Sequence, residues 1–166
     1  MATSKHFVID TNVHISFLLF PQSVPGQAVT KALKTGVLLR SENTLSELAR
    51  ILERPKFDRY LTRYERMVFL DRFIQDTVHV NVQPAIRASR DVKDNKFLEL
   101  AVAGQATCII TGDSDLLDLH PFRGISIVTP AQYSGATRHL NNTVVLLTGQ
   151  TFYQKTWSVP YLRYGP

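Results

Sequence analysis

The chain has 166 residues, enough for one ordinary domain with a sizeable core and too few for two. Its 44% hydrophobic and 20% charged residues exclude the disordered and fibrous classes, and no stretch approaches the roughly 18 apolar residues that span a bilayer. The formal net charge of +5, from 19 Lys and Arg against 14 Asp and Glu, suits a polyanionic partner without requiring one.

The N-terminal residues lack the apolar run of a secretion signal and lead straight into a strand. Phe7-Val8-Ile9 is a short continuous apolar run, of the kind found at the centre of a parallel sheet. A helical stretch follows, interrupted near Pro21 and Pro25. It resumes from Gln27 to Thr35 with Ala28, Val29, Ala32 and Leu33 on one face, and Gly36 is placed to cap its end. Val37-Leu38-Leu39 is the second strand.

Thr44-Leu45-Ser46-Glu47 opens the next helix with a capping-box pattern, and Pro55 closes it. Seven basic residues lie between Arg50 and Arg72 against four acidic ones, a pattern that fits either a solvated helical face or a phosphate-binding one. Thr62-Arg63-Tyr64-Glu65 repeats the capping signature for a helix with Met67, Leu70, Phe73 and Ile74 on its buried side. Val78, Val80 and Val82 alternate with His79 and Asn81 as an edge or half-exposed strand. Lys93 to Ala103 is helical, with Phe97, Leu98, Ala101 and Val102 inward. Thr107 to Thr111 and Ser126 to Thr129 are two further strands, with a short helical turn over Leu116 to Leu119 between them. The lone Cys108 sits in an apolar run, where it reads as a buried small hydrophobe in a reducing, cytoplasmic setting. This alternation predicts a three-layer α/β/α sandwich with a mostly parallel central sheet over residues 1–133. Residues 134–166 read as a C-terminal extension with a candidate hairpin around Thr148-Gly149-Gln150, marginal alone and partly disordered unless it packs on something.

In an open parallel sheet, ligands bind at the carboxyl ends of the strands. Asp10 directly follows the first strand, while Asp113 and Asp115 follow Thr107 to Thr111, which places all three on one edge. Asp94 shares a helix face with Leu98 and Ala101, and Glu47 lies in the first turn of a helix that starts where a strand ends. Carboxylates gathered so closely repel, and a divalent cation resolves the repulsion. Oxygen ligands without a Cys or His cluster point to Mg²⁺ or Mn²⁺ rather than zinc. Each residue also admits a plainer role. Asp10 fits a helix N-cap, Glu47 the capping box of Thr44, Asp94 and Asp91 a helix N-terminus, Asp113 and Asp115 a turn around Gly112.

The segments Phe7 to Val13, Ser46 to Leu52, Asp91 to Ala101, Thr111 to Leu117 and Val128 to Tyr133 together resemble the PIN domain nucleases, in the order and spacing of that family. The flavour is that of its bacterial branch of ribonuclease toxins from toxin–antitoxin pairs, the VapC-like proteins, whose fold is Rossmann-like. The resemblance implies catalytic roles for Asp10, Glu47, Asp94 and Asp113, and metal binding of one or two ions by Asp10, Asp94 and Asp113, with Asp115 auxiliary. It implies polar support from Asn12 and Thr111, with Asp91 either a supporting group or only a cap. The implied reaction is hydrolysis of single-stranded RNA, with Arg50, Arg54, Lys56 and Arg59 as candidate phosphate contacts. A cognate antitoxin and a homodimer are the partners it implies. Two rivals stand beside this reading. One is a catalytically silent PIN-like module that binds RNA or protein. The other is a haloacid-dehalogenase-like phosphatase, disfavoured because Asn12 stands where that chemistry wants a second Asp.

Overall fold

The structure, a computed structural model, describes residues 4–83 and 85–135; the extension with its candidate hairpin lies outside them. Within the described residues five strands, β1 (Lys5–Ile9), β2 (Gly36–Arg40), β3 (Thr77–His79), β4 (Cys108–Ile110) and β5 (Ser126–Val128), form one sheet in the order β3-β2-β1-β4-β5. Every pairing is parallel, with Phe7 opposite Leu38 on one side and Ile9 opposite Ile110 on the other. Among the described residues, seven α-helices connect and cover it: α1 (Thr11–Leu19), α2 (Val24–Thr35), α3 (Glu42–Leu52), α4 (Arg63–Asp76), α5 (Asn95–Ala103), α6 (Ser114–Leu117) and α7 (Pro130–Ser134). Short 3₁₀ turns occupy Pro55–Phe57 and Val92–Asp94.

Strand alternation divides the core. Phe7, Ile9, Leu38, Cys108 and Ile110 face one layer, formed by buried residues of α1 to α4 such as Val29, Leu48 and Phe69. Val8, Leu39, Ile109 and Ile127 face the other, where Phe97, Leu98 and Ala101 of α5 meet Leu116 of α6. A sheet buried on both faces needs apolar residues at consecutive positions, which is why the central strands β1, β2 and β4 read as runs whereas the edge strand β3 does not. The result is the three-layer α/β/α arrangement.

Local details depart from expectation where polar side chains choose the helix ends. Pro25 does not interrupt a helix but sits in the first turn of α2, after Ser23 accepts the Gly26 N–H at 3.2 Å. That position suits proline, whose missing N–H would have no partner there. Gly36 opens β2 in an extended conformation, φ −179°, instead of a left-handed cap. What requires glycine there is close approach, since a Cβ would lie 2.1 Å from the Lys5 carbonyl oxygen. The capping box of α3 uses Ser41 with Thr44 as its third residue, so Glu47 is released from capping. On α4 the buried stripe is Arg66, Phe69 and Phe73, whereas Met67 and Ile74 are 61% and 40% exposed. Alternation beyond His79 does not extend the edge strand β3.

His14 of α1 is buried beside Phe73, ring centroids 4.9 Å apart and nearly perpendicular. Burial lowers its pKa to about 3 from 6.5. The unfolded chain therefore takes up a proton below pH 6.5 that the folded chain refuses until about pH 3, and stability falls as pH drops through that window. Replacing His14 by Leu should reduce the loss of melting temperature between pH 7 and pH 4. Parallel slopes for variant and wild type would show that His14 does not titrate in this way.

Candidate active site

The strand order reverses between β1 and β4, and a crevice opens outside their carboxyl ends at such a switch point. Asp10 leaves β1 and Asp113 leaves β4, so they flank the crevice from adjacent strands. Asp94 enters it from the turn before α5, and Glu47 from the middle of α3. All four line one cleft of about 60 Å³ together with Thr11, Asn12 and the apolar walls Ile51, Phe97 and Leu116.

Asp10 is buried and held on every side. One carboxylate oxygen accepts the Val13 N–H at 2.9 Å, which makes Asp10 the N-cap of α1 as well as a cleft residue. The other accepts the Thr111 hydroxyl and the Gly112 N–H, the latter at 3.2 Å. Thr111, fully buried, accepts in turn from the Asp113 N–H at 3.0 Å, which ties the β4 exit to Asp10. Burial raises the Asp10 pKa, and the hydrogen bonds from Thr111, Val13, Gly112 and Asn12 only partly oppose it.

Asp94 differs from the other three. It occupies the cap position of α5 without a capping hydrogen bond, and its Oδ2 is buried with no partner. Burial first, then the like charges of Asp113, Asp91 and Asp10, push its pKa to about 6, with Lys96 pulling it back. A buried acceptor facing like charges is costly unless something positive completes it. Asp113 caps α6 by accepting the Asp115 N–H at 2.8 Å. Glu47 accepts the Thr11 hydroxyl at 2.7 Å and pairs with Lys96.

Other expected residues stand further off. Asp115 is ion-paired with Arg90 at 2.9 Å, and Arg90 also holds Asp118; none of these lines the cleft. Asp91 accepts the Lys93 N–H at 2.9 Å and thereby caps the turn that delivers Asp94. Arg50, Arg54, Lys56 and Arg59 are exposed and none lines the cleft; Lys56 and Arg59 rest over the rings of Phe57 and Tyr60. Arg66, counted among the same basic residues, is buried.

Lys96 was not legible as a site residue. Two positions after Asp94, it pairs with an acid 49 residues earlier, and no helical spacing announces that. It also lines a cavity of about 320 Å³ with Arg87 and Lys93. A cavity of about 430 Å³ shares Asp10, Asn12 and Asp113 with the cleft and continues to Val24, Pro25 and Pro130.

The cleft fits a hard divalent cation in donor chemistry, since four carboxylates line it and the Asp94 oxygen lacks a partner. Among the described residues, no group of three or more His, Cys, Asp or Glu side chains closes around a single point as a ready-made metal cage. Water would therefore complete the coordination, as is usual for Mg²⁺.

The PIN domain family pattern matches residues 6–115, and the chain belongs to that family, whose members are in general nucleases. It is 35% identical over 114 residues to an uncharacterised protein of Methanocaldococcus jannaschii, covering 68% of this chain and 73% of that one. In fold it is similar to a chain of VapBC2 from Rickettsia felis, solved bound to a DNA fragment from its promoter. That likeness has a TM-score of 0.52 at 11% identity and covers 75% of this chain and 98% of the other. Among the described residues, no helix is long and apolar enough to cross a membrane.

Proposed function

We propose that this protein is a metal-dependent endoribonuclease that hydrolyses single-stranded RNA, the toxin of a toxin–antitoxin pair acting in the cytoplasm. The observation that carries the reading is the convergence of Asp10, Glu47, Asp94 and Asp113 on one cleft, with the Asp94 oxygen buried and unpartnered. Asp10, Asp94 and Asp113 would hold Mg²⁺ or Mn²⁺. When bound, such an ion supplies Lewis acidity and offsets the repulsion between the acidic cleft and the RNA backbone.

The protein's own groups do the positioning. Thr111, Val13 and Gly112 fix both oxygens of Asp10, so its carboxylate cannot swing away from the cleft. Glu47, steadied by Thr11 and Lys96, orients an attacking water. Asn12, exposed at the rim, contacts the strand that enters, and Asp115 is an auxiliary carboxylate once freed from Arg90. Asp91 acts through the turn it caps. The recessed cleft favours a bent single strand over a stiff duplex. Arg50, Arg54, Lys56 and Arg59 would hold phosphates further along the strand, by charge rather than by sequence.

Incubation with a pool of structured and unstructured RNAs tests this. Cutting that requires Mg²⁺ or Mn²⁺, stops with EDTA and disappears in Asp10→Asn is the expected result. Absence of cutting, with no metal binding by calorimetry, would leave a PIN-like binding module instead. The fold likeness to VapBC2 supports an antitoxin partner, which a small protein encoded just upstream and co-purifying would supply. A homodimer fits the exposed apolar residues Tyr64, Met67 and Ile74 on α4. A monomeric mass by light scattering across the micromolar range would remove that part.

A further inference from the structure

We infer that Lys96 takes the place of a second divalent cation on the Glu47 side of the cleft, so that the site holds one ion and a built-in ammonium. This rests on the nuclease reading above, because it assigns the charges of that same cleft. Four carboxylates face the cleft, and one divalent ion offsets only half of their full charge. The remainder calls for another cation, and the chain carries one there.

The side chains of Lys96 and Glu47 are 14% and 17% exposed, and the Lys96 Nζ contacts the Glu47 Oε2 directly. Nζ also donates to the Lys93 carbonyl at 2.5 Å and lies 5.2 Å from the centre of the Phe97 ring, a wall of the cleft. Three supports of different kinds hold the ammonium in place. The second oxygen of Glu47 accepts the Thr11 hydroxyl, so both of its oxygens are engaged. By contrast, the Asp94 Oδ2 has no partner.

The acids thus divide into two groups. Glu47 is served by an ammonium of the chain, whereas Asp10 and Asp113 accept from uncharged N–H and O–H donors and the Asp94 Oδ2 accepts from none, so these three await a cation from solution. A second divalent ion at Glu47 would have to expel the ammonium from a largely enclosed pair, which strands a charge in a poorly solvated place. It would also bring two cations together where the wall is apolar. Glu47 therefore does not act as a ligand to a solution cation, and its positioning role is exerted through a carboxylate pinned by Lys96.

The test is stoichiometry with Mn²⁺ alone, read by electron paramagnetic resonance of the free ion during titration of the full chain, with no RNA present. Wild type should bind one ion per chain, Lys96→Met two, and Lys96→Arg one. Glu47→Gln should keep the single ion with affinity within about threefold, as befits a residue outside that ion's ligand set. Two ions on wild type would overturn the inference without any variant, which covers the case of a misfolded Lys96→Met. One ion on both wild type and folded Lys96→Met, or loss of the ion in Glu47→Gln, would overturn it while leaving the nuclease reading intact. No ion on wild type would remove the metal reading and the inference together.

Discussion

Replacing Asp94 by Asn should lower the rate of RNA cleavage by about a thousandfold and, at the same time, make the metal-free protein more stable above pH 6. The first effect follows from the several kcal/mol of charge stabilisation that a bound cation supplies, at about 1.36 kcal/mol per tenfold in rate. The second follows from what surrounds the carboxylate. Its Oδ2 is buried without a partner, and Asp113, Asp91 and Asp10 repel its charge. With a folded pKa of about 6 against 3.8, the folded chain holds this proton more tightly than the unfolded one. Stability therefore falls as pH rises through that interval and carries the whole penalty above it. Asparagine removes the penalty, so melting curves in EDTA should separate at pH 7.5 and approach each other at pH 4. A metal-free variant that melts no higher than wild type at pH 7.5 would mean that Asp94 is not held against its charge. Gaining stability while losing activity distinguishes a functional carboxylate from a structural one.

The same contrast marks how far the sequence can be read. The parallel sheet and the position of Asp10 and Asp113 on one edge are legible because the central strands β1, β2 and β4 carry apolar runs followed by polar residues. The sheet's topology then leaves few choices. Helix starts were legible to within a turn. Ser41 holds the cap that the pattern Thr44-Leu45-Ser46-Glu47 assigns to Thr44, since both residues suit it and only the β2 exit decides between them. What could not be read is the pairing of long charged side chains. Lys96 with Glu47, Arg90 with Asp115 and Asp118, and Arg66 with Asp58 join residues whose separation follows no helical or strand period. The basic block from Arg50 to Arg72 mixes buried and exposed cations. In the fold, Arg66 turns inward, whereas Arg50, Arg54, Lys56 and Arg59 stay in solvent.

Arg66 is accordingly a charged side chain on which the fold depends. It donates to the Leu52 carbonyl at 3.0 Å and to the Leu61 carbonyl at 2.8 and 3.2 Å, and it pairs with Asp58. Leu52 ends α3 and Leu61 precedes α4, so one guanidinium gathers carbonyls at the end of one helix and just before the next. Arg66→Met should cost about 2–4 kcal/mol, mostly because buried carbonyls lose their donors. Lysine should recover little of that. Its ammonium is a single point on a flexible stem and cannot reproduce a planar fork serving several acceptors. Asp58→Asn should cost less than about 1 kcal/mol, because Asp58 is 69% exposed and water replaces it. Urea midpoints for the three variants give the order directly, provided the slopes agree. Full rescue by Arg66→Lys would show that charge alone matters there, and that the connection from α3 to α4 is held by something other than directed hydrogen bonds. The α3 helix also carries Glu47 into the cleft. A loosened α3 end in Arg66→Met should therefore weaken Mn²⁺ binding far less than Asp94→Asn does, since the carboxylates proposed to hold the ion follow β1 and β4 or lie in the turn before α5.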